Sequence, residues 1–154
     1  MLFGDGAGAV IVKPSEEPGI LTTHLGADGQ YKNLLYYPVG ASHKLEKAGT
    51  DEASIMMAGK EVFKVAVSKL GDVAMQALES AGISKDELDW LVPHQANIRI
   101  IQATAKRLDL PLEKVIITVQ DHGNTSAASV PMALDVGIRD GRVKKGQLVL
   151  MEAF

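Results

Sequence analysis

The sequence of 154 residues contains no cysteine, which excludes disulfide bonds and thiolate metal sites. It has no excess of basic residues either, since the formal net charge is −3, and nucleic acid is not expected as its main partner. Its longest apolar runs are only as long as a strand, and no basic region followed by an apolar core opens it. We therefore expect a cytoplasmic protein with no signal peptide and no membrane span. Apolar residues make up 46% of the chain, enough for the core of one domain.

The spacing of apolar residues predicts strands that alternate with amphipathic helices. Such an order is typical of an α/β fold, with a mostly parallel sheet and helices on both of its faces. Between the second predicted strand and the first helix lies a long excursion with little regular structure. The predicted strands cover 2–12, 19–25, 90–92, 115–119 and 147–154, the helices cover 58–81, 97–108 and 127–139, and the excursion covers 28–51.

Two polar residues follow predicted parallel strands at strand-to-helix junctions. His94 comes after the strand over 90–92, and Asn124 comes after the strand over 115–119. The carboxyl ends of parallel strands share one edge of a sheet, where open α/β folds place their chemistry. Spacing alone also fits a simpler interpretation, in which His94 is a capping or core residue and Asn124 a turn or helix N-cap residue.

Four segments carry a resemblance to a known family. They are the sequences LFGDGAGA at 2–9, PHQAN at 93–97, GNTSAAS at 123–129 and LVLMEAF at 148–154. In this order and spacing they resemble the motifs of β-ketoacyl-[acyl carrier protein] synthase III, a condensing enzyme of bacterial fatty acid synthesis. The resemblance implies the C-terminal half of a thiolase-like fold, which agrees with the α/β pattern.

The resemblance also implies that the chain is truncated at both ends. Residues 1–14 correspond to the last strand of a missing N-terminal half, and residues 15–154 to a C-terminal half without its final glycine-rich loop and strand. In the family, the cysteine that accepts the acyl group lies in the first half. We therefore expect the isolated chain to be inactive in condensation.

For the intact protein, the resemblance implies an acyltransferase with His94 and Asn124 as its malonyl-decarboxylating residues. Such an enzyme condenses an acyl-CoA primer, most often acetyl-CoA, with malonyl-[acyl carrier protein] and needs no cofactor beyond these thioester substrates. Its expected partners are acyl carrier protein, the missing N-terminal half and a second copy of itself in a homodimer.

The same resemblance assigns further residues to binding. The carrier-protein contact corresponds to Gln95, Ala96, Asn97, Ile98 and Arg99, and the channel for the pantetheine arm corresponds to Gly59 and Asn97. The helix over 97–108 also presents a basic side, formed by Arg99, Lys106 and Arg107, for which a solvated surface is the simpler interpretation. His122 matches no catalytic residue of the family, and no set of histidines and carboxylates has the spacing of a metal site.

Two alternatives stay open from the sequence. One is a non-catalytic domain that binds carrier protein, which the missing thiol favours for the isolated chain. The other is a relative that starts a polyketide or another secondary metabolite, because primer choice depends on the half that is absent here.

Overall fold

The computed structural model describes residues 3–40, 45–50 and 53–154. The chain divides into two compact units, one formed by 1–24 with 67–154 and the other by 25–66. The strands are β1 (Leu35–Tyr36), β2 (Met56–Met57), β3 (Trp90–Pro93) and β4 (Val149–Glu152), and the α-helices are α1 (Gly59–Ala81), α2 (Ile98–Arg107), α3 (Val119–His122) and α4 (Ser129–Arg139). No helix among these described residues is long and apolar enough to cross a membrane.

The centre of the larger unit is a small parallel sheet. β3 pairs with β4 in the register Trp90 to Val149 through Pro93 to Glu152. On its other side β3 forms a parallel bridge from Leu91 to Val115, and the Ile116 N–H donates to the Leu91 carbonyl at 2.9 Å. β3 is therefore the middle of three parallel segments, as the predicted α/β pattern requires.

Helices cover both faces of this sheet. Successive side chains of a strand point to opposite faces, so neighbouring residues of β3 contact different helices. Leu91 packs in a cluster with Ala74 of α1 and with Ile101 and Ala105 of α2. Its neighbour Val92 packs in a second cluster, whose members are Val92, Ile116, Ala133 of α4 and Val143. Burying a Leu, Ile or Val side chain contributes about 1.5–3 kcal/mol, so the two clusters hold the sheet from both sides.

The helix boundaries follow local signals in the sequence. Gly82 directly after α1 has φ +67°, a left-handed conformation that glycine adopts without strain. The Ser84 hydroxyl and the Glu87 carboxylate form a reciprocal capping box at a 3-10 turn before β3. At α2, the Asn97 side chain accepts the Arg99 N–H at 2.8 Å, which places the N-cap at Asn97.

The smaller unit has little regular structure, as predicted for the part of 28–51 that the structure describes. A two-residue antiparallel pair joins β1 to β2, with Leu35 opposite Met57. The side chain of Val39 is buried there. Residues 41–44 and 51 of the predicted excursion, and residue 52 after it, lie outside the described residues.

The two predicted N-terminal strands are absent from described residues 3–25. A strand needs a neighbouring strand for its ladder of hydrogen bonds, and none of the described residues pairs with this segment in a ladder. Only its first part, residues 4–8, lies along 122–132: the Gly4 N–H donates to the Asn124 carbonyl at 2.8 Å, and Gly6 and Gly8 approach Met132 and Pro131 too closely for a Cβ atom.

The strand predicted over 115–119 is also shorter than expected. Residues 115 and 116 lie beside β3, whereas Val119 already begins α3. The backbone N–H groups of Thr118 and Val119 donate to the side-chain oxygen of Gln95 at 2.8 and 3.1 Å. The segment has left the sheet at this point, and its N–H groups bond to a side chain.

Candidate active site at the carboxyl edge of the sheet

His94 is the first residue after β3, and its surroundings fix both its backbone and its ring. Its N–H donates to the Glu152 carbonyl at the end of β4 at 2.8 Å. Its Nδ1 atom lies 2.6 Å from the Ser129 hydroxyl oxygen at the start of α4. Desolvation of the half-buried ring lowers the pKa of His94. The ring is therefore neutral at neutral pH and carries a single N–H donor.

Asn124 follows a glycine whose backbone conformation other residues avoid. Gly123 has φ +67° and ψ −160°, a region used almost only by glycine. The Asn124 side-chain oxygen accepts the Ser126 N–H at 2.9 Å, so this atom is an acceptor in the turn. The NH₂ group of the same carboxamide makes no recorded hydrogen bond within the described chain and is available as a donor.

His94 directly follows β3, and Asn124 follows the neighbouring parallel segment after the short helix α3. The Gln95 side chain joins two turns, the turn after β3 and the turn from Ile116 to the start of α3. Its NH₂ group donates to the carbonyls of Pro93 and Ile116 at 2.8 and 3.1 Å. Its oxygen accepts the two N–H groups at the start of α3. A buried carboxamide with every group satisfied makes this connection rigid.

Glu152 is a buried carboxyl group beside the His94 backbone. Its side chain is 6% exposed, and neither carboxyl oxygen has a hydrogen-bond partner among the described residues. Desolvation raises its pKa to about 7. Glu152 is therefore protonated over much of the acidic range and only partly ionised at neutral pH.

The residues assigned to carrier-protein binding differ in exposure. Asn97, Ile98 and Arg99 are exposed at the start of α2, and Ala96 is half-buried. Ile98, in the first turn of the helix, is 39% exposed. The Gln95 side chain is buried and committed to backbone groups. On the basic side of α2, Arg107 forms an ion pair with Asp72 of α1.

Gly59 and His122, which were also considered from the sequence, are both exposed. Gly59 is the exposed first residue of α1 and belongs to the smaller unit. His122 is exposed at the end of α3. Within 3–40, 45–50 and 53–154, no three histidine or carboxylate side chains are grouped as a metal site would require.

Two residues of the site carried no functional assignment from the sequence. Ser129 lies in the motif at 123–129, but its contact with His94 joins residues 35 positions apart. Glu152 had a visible signal, since it is the only acidic residue in the otherwise apolar run 148–154.

Comparison with solved structures defines the class of protein. The chain superposes on 3-oxoacyl-[acyl-carrier-protein] synthase III from Aquifex aeolicus VF5 with a TM-score of 0.79 and 42% identity, over 91% of this chain and 42% of that one. The priming β-ketosynthase of the R1128 polyketide pathway is also similar, with a TM-score of 0.72 and 39% identity over 82% of this chain and 38% of that one. The chain thus has the α/β fold of thiolase-like condensing enzymes.

Family models then give the particular family. The model for the 3-oxoacyl-[acyl-carrier-protein] synthase III C-terminal region matches residues 78–154, and the model for 3-oxoacyl-[acyl-carrier-protein] synthase III matches residues 1–29. The chain belongs to the 3-oxoacyl-[acyl-carrier-protein] synthase III family. It is 58% identical to the β-ketoacyl-[acyl-carrier-protein] synthase III of Thioalkalivibrio sulfidiphilus over all of its own length and 48% of that protein. It therefore spans about half the length of such relatives.

Proposed function

We propose that this chain supplies the malonyl-decarboxylating part of a β-ketoacyl-[acyl carrier protein] synthase III. The intact enzyme would condense acetyl-CoA with malonyl-[acyl carrier protein] and so initiate fatty acid synthesis. The observation that carries the proposal is that Nδ1 of His94 and Oδ1 of Asn124 are both engaged in hydrogen bonds, with the Ser129 hydroxyl and the Ser126 N–H. With Nδ1 as the acceptor in its bond, each group keeps an N–H donor, Nε2 of the ring and Nδ2 of the amide, for a substrate oxygen.

Decarboxylation needs such donors because negative charge develops on the thioester oxygen. The bond between the malonyl carboxylate and the α-carbon breaks, carbon dioxide leaves, and the electron pair forms an enolate. Preorganised donors stabilise that enolate, and one donor of this kind is worth roughly 3–4 kcal/mol. A neutral imidazole and a carboxamide donate without placing a full charge in a partly desolvated site.

The enolate carbon then attacks the thioester carbonyl of the acyl-enzyme, a carbon–carbon bond forms, and the enzyme thiolate leaves. The acylated thiol must come from outside these 154 residues, which contain no cysteine. Coenzyme A is released when that thiol first takes the acyl group from acetyl-CoA. In this proposal the other half of the enzyme accepts the acyl group, and this half decarboxylates the malonyl group.

We assign the carrier-protein contact to the exposed start of α2, at Asn97, Ile98 and Arg99, with Ala96 at its margin. In this proposal the buried Gln95 supports the segment from within and does not meet the partner. A positive surface there would steer a strongly acidic carrier protein. Asn97 and Gly59 are proposed to line the pantetheine channel, and the intact enzyme is proposed to be a cytoplasmic homodimer.

The test uses a full-length synthase in which this chain is joined to the N-terminal half and to the final glycine-rich loop and strand of the Thioalkalivibrio sulfidiphilus relative. His94→Ala and Asn124→Ala should each lower the release of carbon dioxide from malonyl-[acyl carrier protein] by about 10²–10³-fold. Acyl transfer from acetyl-CoA to the thiol should survive at least in part in both variants. His122→Ala removes a neighbouring exposed ring and should change neither rate.

Unchanged decarboxylation in both alanine variants would contradict the roles assigned to His94 and Asn124. A joined wild-type enzyme that acylates its thiol and releases no carbon dioxide would contradict the decarboxylating role of this half. Binding of malonyl-[acyl carrier protein] with neither step would favour the non-catalytic domain.

The similarity to a polyketide-priming ketosynthase supports a second candidate, an enzyme that starts a secondary metabolite. The decarboxylation chemistry of His94 and Asn124 would be the same, and the primer would differ. Competition between acetyl-CoA and longer or branched acyl-CoA primers in the intact protein separates the two. A clear preference for acetyl-CoA supports fatty acid initiation, and a preference for another primer supports the second candidate.

A further inference from the structure

The hydroxyl group of Ser129 connects the start of α4 to the turn after β3. It is the first residue of α4, five positions after Asn124, and its side chain is 1% exposed. Its oxygen lies 2.6 Å from His94 Nδ1 and accepts the Gln95 N–H at 3.2 Å. These two are the hydrogen bonds recorded for the Ser129 side chain within the described residues.

We propose that Ser129 is a positioning residue that holds the His94 ring in the tautomer with its proton on Nε2. The Gln95 N–H can only donate, so the Ser129 oxygen is an acceptor in that bond. The hydroxyl proton of Ser129 then has His94 Nδ1 as its acceptor. If Nδ1 carried the proton instead, a buried hydroxyl proton would be left without a partner, which is costly.

The direction of α4 favours the same arrangement. The N-terminus of a helix carries a partial positive charge, which disfavours a proton on a nearby ring nitrogen and favours a lone pair there. Ser129 occupies that N-terminus and contacts Nδ1 directly. Nε2 is then the protonated nitrogen, as the proposed function of His94 requires. The catalytic role of Ser129 rests on that proposed function, whereas the tautomer of the ring does not.

The tautomer can be measured on the chain itself, without substrate. Nitrogen-15 NMR distinguishes protonated from unprotonated ring nitrogens, and comparison with His94→Gln identifies the His94 signals among the four histidines. We expect one protonated Nε2 and an unprotonated Nδ1 in the wild type at neutral pH. Ser129→Ala should give a mixture of tautomers, and Ser129→Thr, which keeps the hydroxyl, should restore the single one.

Thr104→Val is the matched control. Thr104 is fully buried in α2, and its hydroxyl has no hydrogen-bond partner among the described residues. This change also removes a buried hydroxyl, but it should leave the His94 spectrum unchanged. Two results would overturn the proposal: a wild-type His94 ring protonated on Nδ1, or a His94 spectrum that Ser129→Ala does not alter. If the alanine variant does not fold, the wild-type spectrum alone decides between the tautomers.

Kinetics in the joined full-length enzyme test the consequence for catalysis. Ser129→Ala should lower kcat for malonyl decarboxylation by about three- to tenfold, the effect of one neutral hydrogen bond, with KM changed less than about twofold. Ser129→Thr should recover most of the loss. An unchanged kcat together with an altered tautomer would refute the positioning role, and it would leave the separate result for His94→Ala and Asn124→Ala untouched.

Discussion

Replacing Gln95 by leucine should destabilise the chain far more than an ordinary glutamine substitution. The side chain is 1% exposed and makes four hydrogen bonds to backbone groups of the two turns. Leucine has a similar size but leaves the N–H groups of Thr118 and Val119 without acceptors. A buried unsatisfied group costs about 1–3 kcal/mol, so the two donors alone predict a loss of about 2–6 kcal/mol.

Urea unfolding measures this loss. With a denaturant slope of about 2 kcal/mol per molar, a typical value for a small domain, a loss of 4 kcal/mol lowers the midpoint by about 2 M. Gln120→Leu is the matched control, because Gln120 is exposed and, among the described residues, its amide bonds to the Ile117 carbonyl and the Asp121 carboxylate. That variant should stay within about 0.5 kcal/mol of the wild type. Equal midpoints for the two variants would refute the argument that the Gln95 carboxamide holds the turns.

Glu152→Gln should raise the free energy of unfolding at pH 8 by up to about 3 kcal/mol and leave it almost unchanged near pH 4. The folded pKa of Glu152, about 7, exceeds the ordinary glutamate value of 4.5, so the wild-type free energy of unfolding falls as the pH rises between these values. Urea midpoints of both proteins across that range measure the difference in stability, and a difference that does not change with pH would contradict the buried-carboxyl argument. Gly123→Ala should cost about 1–3 kcal/mol and reduce decarboxylation, because alanine is strained at φ +67° and ψ −160°. Gly19→Ala, with open space around its Cβ position, is the control, and an equal melting temperature for both glycine variants would argue against strain at Gly123.

Much of this architecture could be predicted from local patterns. The bounds of α1, its glycine cap, the capping box at Ser84 and the strand at Trp90 all depend on residues close in sequence, and the structure confirms them. The order of strands and helices also placed His94 directly after a strand, as the structure shows. The sequence was sufficient to predict these elements because their bounds depend on residues within or next to the element.

The errors arise where distant residues decide the outcome. The apolar residues of 2–12 and 19–25 have strand-like composition, but a ladder also needs a neighbour, and the described chain provides none for 3–25. The β-branched run at 115–119 leaves the sheet early, and its Thr118 N–H donates to a side chain 23 residues earlier. No periodicity in the sequence reveals that Gln95 accepts from Thr118, or that Ser129 meets His94.

The close approach of the first residues to the Asn124 turn has a practical consequence for dividing the protein. One family model covers 1–29 and the other covers 78–154, which suggests two separable modules. Yet Gly4 donates to the Asn124 carbonyl, and Gly6 and Gly8 lie against Met132 and Pro131. A shortened protein that begins between the two matched regions would lack residues 4–8. The Asn124 carbonyl and the side of α4 that these residues contact would then be exposed to water.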